Sequence, residues 1–311
     1  LSNEISKEPF LLTIASGKGG VGKSFLAVNI AIHLSSLKKK VVLVDADLSG
    51  SNLHTLLGLP PLRSEHSYFV LEKIQDLNKL LVESGLENLS LIPIGKKRSN
   101  LANLSYIEKI KITKGLKSLK ADFLVIDTSS GTSYNTLDFF LLSPHGILVT
   151  TADPLSIENL YHFIKAAIIR KIRTTSQEPH IKKVIEEWMS LSASSEKNLI
   201  DAFIDSAPFE DKEMVEREVK NAVKDFRPKL ILSRTINQDN RELGFAIQKM
   251  VAHYFGVTID YLGYVEEHQL VQESITKRKP LILAYRESVS AKCIENITNL
   301  YLANYVNKNE Y

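Results

Sequence analysis

Residues Ser16 to Ser24 read SGKGGVGKS, and the run Gly17 to Ser24 satisfies the spacing G-x-x-x-x-G-K-S. That spacing suits phosphate chemistry. Glycines allow backbone N–H groups to curl around an anion, and a lysine neutralises the outer phosphate oxygens. A serine hydroxyl at the next position ligates a hard cation such as Mg²⁺. Lys23 and Ser24 fill these two roles here, and Gly17, Lys18, Gly19, Gly20, Val21 and Gly22 form the loop. A phosphate loop needs one lysine, and this one carries a second, Lys18. From the residues alone Lys18 is a cation beside a phosphate site. Gly17, Gly19 and Gly22 also satisfy G-x-G-x-x-G, with Asp45 placed like the ribose-binding acid of a dinucleotide fold. A hydride-transfer fold, however, has no use for Lys23-Ser24 or for a further acid at Asp127.

Three acids follow hydrophobic runs. LVIDTSSG places Asp127 at the end of an expected buried strand, where a carboxylate holds Mg²⁺ through its water shell. LVDADL puts Asp45 and Asp47 at the end of another. Two carboxylates at i and i+2 of extended chain point the same way, towards an attacking water or the metal. A single strand-end Asp is often only a turn former. Three of them accompanying one glycine loop are consistent with one site.

The elements that must hold these groups are legible as strands. Candidates are Phe10–Ser16, Lys40–Asp47, Leu89–Gly95, Asp122–Thr128, Gly146–Ala152, Lys229–Thr235 and Thr258–Val265. They are nearly continuous apolar runs, so both faces of the sheet are expected to be covered by helices. The expected fold is α/β, with a mainly parallel central sheet flanked by helices on both faces. No repeat or Gly/Ser-rich linker interrupts it, which predicts a single domain over 1–311. The longest gap, from about Pro154 to Pro228, has apolar residues at helical spacing: Ile181, Val184, Ile185, Trp188 and Met189, then Met214, Val215, Val219, Val223 and Phe226. We expect a helical insertion over about 177–227.

Bulk composition is permissive. The 311 residues carry 24% charged and 44% apolar side chains with a formal net charge of +3, too weak a bias to imply nucleic acid. One cysteine, Cys293, excludes an internal disulfide and fits a reducing compartment. No apolar run approaches the roughly 20 residues that span a bilayer, and LSNEISKEPF lacks a signal-peptide layout. A cytoplasmic location is expected.

With Lys18 in GKGGVGKS, the loop resembles the deviant Walker A motif of the MinD/ParA group of P-loop ATPases. VVLVDADLSGSNLHTLLGL resembles that family's switch I, with Asp47 at its water-orienting aspartate and Asn52 at its usual asparagine. DFLVIDTSSG, which ends at Gly131, resembles switch II. VTTADPLSIENLYHFIK and YVEEHQLVQESITKRKPLIL resemble the later strand and the stretch near the base. The resemblance covers roughly Leu11 to Leu302 and is nearest the MinD-like branch that includes FlhG. It implies ATP and ADP as ligands, Mg²⁺ held by Ser24, Asp47 and Asp127, and catalysis by Lys18, Lys23 and Asp47. It also implies an ATP-dependent homodimer in which Lys18 of one subunit reaches the phosphates bound by the other, the electrostatic logic of an arginine finger. The base would lie among Ser233, Arg234, Val265 and Glu266. The family's frequent asparagine is Ser233 here and its frequent proline is Val265, so ATP over GTP is inherited from the resemblance.

Other relatives of the superfamily fit less well. Iron–sulfur carriers need a cysteine pair to bridge a cluster, and Cys293 stands alone. Tyrosine kinases of this fold normally lack the Lys18-Gly19-Gly20 element and carry an arginine where this chain has Leu48-Ser49. Tyr301 and Tyr305, four apart, suit helix packing, although Tyr311 extends the likeness to a tyrosine cluster. MinD ends in a membrane-surface helix. The last helix here, about Ser288 to Val306, places Val289, Cys293, Ile297, Leu300 and Tyr301 along one side. It has few basic residues, Lys292 and then Lys308, for a lipid surface, so docking on the fold is expected. A ParA-type DNA partitioner is the main rival. Lys96-Lys97-Arg98, Arg170-Lys171 with Arg173, Lys182-Lys183 and Lys277-Arg278-Lys279 are the basic clusters it would use. The insertion is where an unknown protein partner is expected to dock. Association with the inner membrane or a cell pole follows from the resemblance only.

Overall fold

The structure is a computed structural model. It describes residues 8–47, 50, 52–62, 77–94, 104–176, 178, 183–186, 198–236 and 238–306, with the backbone alone at 106, 238–241 and 305. The strands are β1 (Phe10–Ser16), β2 (Val41–Ala46), β3 (Val82–Glu83), β4 (Leu89–Pro93), β5 (Phe123–Ser130), β6 (Ile147–Thr150), β7 (Lys229–Thr235) and β8 (Asp260–Glu266). They form one sheet in the order β3-β4-β2-β5-β1-β6-β7-β8. Each described pair is parallel except β3 with β4.

The continuous apolar runs have a simple cause. Successive strand residues point to opposite faces, and both faces are cores. Val41, Leu43, Phe123, Val125, Ile147, Val149 and Ile231 face one hydrophobic layer. Their neighbours Val42, Val44, Leu124 and Ile126, and Leu148, Leu230 and Leu232, face two clusters on the other side. The first layer is covered by α1 (Lys23–Ser36) and α11 (Val289–Tyr301). The second is covered by α3 (Tyr106–Lys117), α4 (Tyr134–Phe140), α5 (Pro154–Thr175), α6 (Leu199–Asp205), α7 (Lys212–Val223) and α8 (Gln238–Phe255). Among the described residues there are also three short helices, α2 (Leu53–Leu56), α9 (Gln269–Thr276) and α10 (Leu281–Ala284).

Helix starts follow local chemistry. Ser105 and Glu108 close a reciprocal capping box on α3, Ser133 caps α4, and Asp153 caps α5 with Pro154 in its first turn. Two sequence expectations are refined. The strands match to within a few residues at each end, and β3 is an addition, a two-residue antiparallel edge too short for periodicity to show. The buried side of α11 is Ser290, Ala291, Ile294, Ile297, Thr298 and Tyr301, whereas Val289 and Leu300 are exposed. The helix packs on β8, and its inner side mixes small and large residues. Gly263 has φ 135°, and a Cβ on it would stand 3.4 Å from Ile297 Cγ1. Ser290 also donates to the Glu266 carbonyl at 3.0 Å.

In the region expected as an insertion, α6 and α7 bury Phe203, Ile204, Val215 and Val219 in the same cluster as Phe163 of α5 and Leu230 of β7. Ile181, Lys182, Trp188 and Met189 lie outside the described residues, as do Gly95, Lys96, Lys97, Arg98 and Leu48, Ser49 and Tyr311. Phe163 is fully buried and meets Phe140 edge-on, ring centroids 5.1 Å apart. Phe163→Ala is expected to lower the unfolding free energy by about 3–5 kcal/mol, read by denaturant titration, because the cavity opens where two helices and the sheet converge.

Candidate functional site

The glycine loop lies at the carboxyl end of β1, in mid-sheet, where open α/β sheets place their ligand crevice. Its shape is fixed from several sides. The Gly131 N–H donates to the Ser16 carbonyl at 2.9 Å, and Ser16 Oγ donates to the Lys18 carbonyl at 2.9 Å. A Cβ on Gly17 would lie 2.2 Å from the backbone oxygen of Asn159 in α5, so only glycine lets the loop approach that helix. Val21 is buried and anchors the loop to the core. Gly20 and Gly22 have φ of 82° and 89°, the left-handed region that glycine enters without strain. Unlike α3, α4 and α5, α1 begins with no side-chain cap, and its first turn carries no acid. Its first N–H groups and the positive end of its dipole therefore face the loop without a competing side chain, which is what an anion needs.

The two lysines of the loop have opposite environments. Lys23 is buried, and its Nζ lies 2.7 Å from Asp127 Oδ1 and 3.4 Å from Ser24 Oγ. Burial pushes the Asp127 carboxyl above the ordinary carboxylate range. The charge and hydrogen bond of Lys23 and a hydrogen bond from Ser24 act against that rise, and the nearby charge of Asp47 adds to it. Lys18 is exposed, its side chain 42% accessible. Its Nζ stands 3.8 Å from Asp153 Oδ1. Hydrogen bonds from Ser156 and Thr151 hold the Asp153 carboxyl far below the usual range, with a smaller contribution from Lys18.

The remaining acids divide by role. Asp45 pairs in register with Asp127 across β2 and β5. It is buried and accepts from the Asp47 N–H at 3.2 Å and the Leu53 N–H at 3.1 Å, so it shapes the turn after β2. Asp47 is half-buried, and its Oδ1 accepts from Ser129 Oγ at 2.8 Å, which ties the end of β2 to β5. Asn52 is exposed at the start of α2 and donates to the Gly50 carbonyl at 2.9 Å. Gly131 follows β5 with φ 82°. Ser24, Asp47 and Asp127 supply a hydroxyl and carboxylates around one edge, a hard-oxygen donor set that suits Mg²⁺.

The residues expected near the base occupy the ends of β7 and β8. Ser233 is buried, and a Cβ on Gly22 would come within 3.0 Å of its Oγ. Arg234 sits at a break in the β7–β8 register with φ 57°, and its Nε donates to Glu267 Oε2 at 2.7 Å. Val265 is buried and Glu266 half-buried. A cavity of about 610 Å³ lies elsewhere, at the opposite, amino-terminal ends of the central strands β1 and β5, among Phe10, Phe123, Pro144 and Leu302.

Sequence reasoning missed Asn159, Ser129 and Asp153 as parts of the site. Asp153 was findable, since Asp-Pro before an apolar periodic run signals a capped helix start. Several described basic residues named earlier are internally paired. Arg170 grips Asp138 through Nε at 2.6 Å and Nη2 at 2.9 Å, Arg173 lies 3.5 Å from Glu186, and Lys277 pairs with Glu273.

An uncapped helix start behind a glycine loop, a buried lysine on a strand-end carboxylate and a parallel sheet define a P-loop nucleotide-binding protein. Residues 9–176 match the ParA family, described as NUBPL iron-transfer P-loop NTPase. That is more than half of the chain, and the chain belongs to the ParA family of P-loop NTPases. It is 31% identical to the antiactivator FleN of Pseudomonas aeruginosa over 157 residues, 50% of this chain and 55% of that protein. It is 33% identical to the septum site-determining protein MinD of Synechocystis over 150 residues, 48% and 56% of the two chains. The chain thus spans about half the length of the curated relatives it matches. These relatives agree with the MinD-like, FlhG-type branch read from the motifs. Among solved structures, MinD of Pyrococcus horikoshii complexed with Mg-ADP superposes with a TM-score of 0.59 at 18% identity, covering 97% of this chain and 99% of that one. A plasmid partition protein of Borrelia burgdorferi gives 0.56 at 20% identity, covering 96% and 99%. At these identities the superpositions speak for the fold.

The opposite environments of the loop's acid partners have separate consequences for stability. Asp127→Asn strips Lys23 of its buried counter-charge and is expected to cost about 3–5 kcal/mol in denaturant unfolding. Asp153→Asn keeps a capping side chain and removes only an exposed pair, so it is expected to cost less than about 1 kcal/mol.

Proposed function

We propose that this P-loop ATPase is Mg²⁺-dependent and that ATP makes it a homodimer which hydrolysis releases. The observation that carries the reading is the contrast within one loop. Lys23 is buried on Asp127 beneath the phosphate cradle, and Lys18 stands exposed at its rim, 3.8 Å from Asp153. A cation at the rim is placed to serve phosphates held by a second copy.

In this reading the N–H groups at the start of α1 and the loop from Gly17 to Gly22 cradle the phosphates, and Lys23 neutralises their outer oxygens. Ser24, Asp47 and Asp127 would hold Mg²⁺, which supplies charge neutralisation at the transferring phosphoryl group. Asp47, held by Ser129, orients the attacking water. Ser233, Arg234, Val265 and Glu266 line the base, with ATP preferred over GTP by resemblance. Asp45, Asn52 and Gly131 shape the two loops that respond to the outer phosphate. Iron transfer, which the family's description names, would call for a cysteine pair to hold a bridging cluster, and the single cysteine of this sequence, Cys293, sits on the closing helix α11.

The similarity to an antiactivator and to septum site-determining proteins supports a role in spatial or numerical control of a cell-surface structure, such as the flagellum. A protein partner would dock on the outer face of the 177–227 region, where Phe209 between α6 and α7 is 94% exposed. No helix among the described residues is long and apolar enough to cross a membrane. Work at the cytoplasmic side of the inner membrane or at a pole is part of this proposal. A nonspecific DNA-binding partition ATPase is the alternative. It predicts DNA binding that needs ATP and falls steeply with salt.

Mass in solution tests the switch. Asp47→Ala protein, blocked in hydrolysis, is expected to be monomeric with ADP and dimeric with ATP, and Lys18→Ala added to it is expected to abolish the dimer. A protein that stays monomeric with ATP bound would remove the trans role of Lys18.

A further inference from the structure

The charge of this chain is unevenly placed. Between Lys96 and Lys120 there are eight basic residues and one acid, Glu108, although the whole chain carries only a formal +3. The rest of the chain is therefore net acidic, and α3 is the described element within the basic stretch. Its inner side is apolar: Ile112, Leu116 and the following Leu119 are buried against Val42, Ile92 and Leu124. Glu108 is engaged in the capping box with Ser105, and Lys109 is held by Asp138 at 2.6 Å.

What remains on the outer side is a mixed face. Ile107 and Ile110 are 65% and 36% exposed, and Lys111, Lys114 and Lys117 are exposed at helical spacing beside them. Lys117 has a loose surface pair with Glu8 at 3.2 Å, and neither Lys111 nor Lys114 is paired among the described residues. Exposed Tyr134, at the start of the neighbouring α4, adds an aromatic ring backed by the Arg170 guanidinium at 4.7 Å.

We infer that the outer face of α3 is a docking surface for an anionic lipid membrane. Three considerations select that partner. The lysines complement a negative surface, and each basic residue near such a surface contributes about a fivefold gain in partition. Ile107 and Ile110 gain nothing from a phosphodiester backbone, but they bury readily at the boundary of headgroups and acyl chains. The face is the convex outer side of one helix, and a fluid surface conforms to it without a matching groove. Lysine stems of this kind lie along apolar material and keep the ammonium in the headgroup layer. The docked helix α11 lacks this combination. Its apolar side is committed to α1 and β8, and its only lysine, Lys292, pairs with Glu287 at 2.8 Å. The inference is independent of the dimer reading, since it rests on a surface that a monomer carries.

The test is cosedimentation of the full chain with vesicles of phosphatidylglycerol and phosphatidylcholine, with phosphatidylcholine vesicles alone, and binding to a duplex DNA without vesicles. The wild type is expected to partition onto the anionic vesicles only, and less so as salt rises. Lys111→Glu with Lys114→Glu is expected to lower that partition by about 25-fold or more. Ile107→Ser with Ile110→Ser is expected to lower it by roughly tenfold. Thermal midpoint and ATPase rate, unchanged in both pairs, show that the fold is intact. Lys111→Gln with Lys114→Gln serves if the reversal disturbs it. Failure of the wild type to bind anionic vesicles, or binding indifferent to the lysine changes, overturns the inference. Binding that ignores the isoleucine changes also overturns it. So does DNA binding lost with the lysines and kept without the isoleucines, which would assign the face to nucleic acid.

Discussion

The buried contact between Lys23 and Asp127 is the constraint on which the site depends. A lysine taken out of water needs an anion, and the anion must come from a strand adjacent to the loop. β5 meets that need because it is inserted between β1 and β2, which brings the carboxyl ends of all three strands to one level. The carboxylate is itself pushed towards its neutral form by burial, and Lys23 with Ser24 opposes that push. Loop and strand end are thus mutually dependent: each supplies what makes the burial of the other tolerable.

Around that contact, hydrogen bonds tie the neighbouring strand ends into one frame. Gly131 and Ser16 join β5 to β1, Ser129 and Asp47 join β5 to β2, and Asp45 spends both oxygens on the backbone of the following turn. The contact of Gly17 with the Asn159 backbone places α5 under the loop, and the cap of α5, Asp153, is the residue beside Lys18. The exposed lysine is therefore positioned by the same helix that sets the loop's depth.

The sheet was legible in the sequence because both of its faces are buried, so that seven of its strands read as unbroken apolar runs. β3 escaped because two residues carry no period. The loop, Asp127 and Asp47 were legible because phosphate chemistry restricts residue types at fixed spacing. The partners that orient them were not, since Asn159 meets Gly17 through its backbone and Ser129 is one hydroxyl among many. The inner side of α11 was read off by a small rotation. Apolar bulk pointed to Val289 and Leu300, but the buried positions include the small Ser290 and Ala291, and Ser290 donates to the Glu266 carbonyl at the end of β8.

The basic character of α3 went unread for a related reason. Its lysines are spaced along a helix rather than clustered in sequence, and only the packed inner side shows which of them face outward. The same helix is coupled to the site through Asp138. That carboxylate takes Lys109 of α3 and both Nε and Nη2 of Arg170 in α5, with distances from 2.6 to 2.9 Å. Charge-assisted contacts of this length, partly withheld from water, hold three helices at fixed relative positions. α4, which carries Asp138, begins at Tyr134, with only three residues between it and Ser130, where the strand bearing Asp127 ends. A displacement of that strand end must move α4, and α4 cannot move without taking α3 and α5 along or breaking a network that has both carboxylate oxygens engaged.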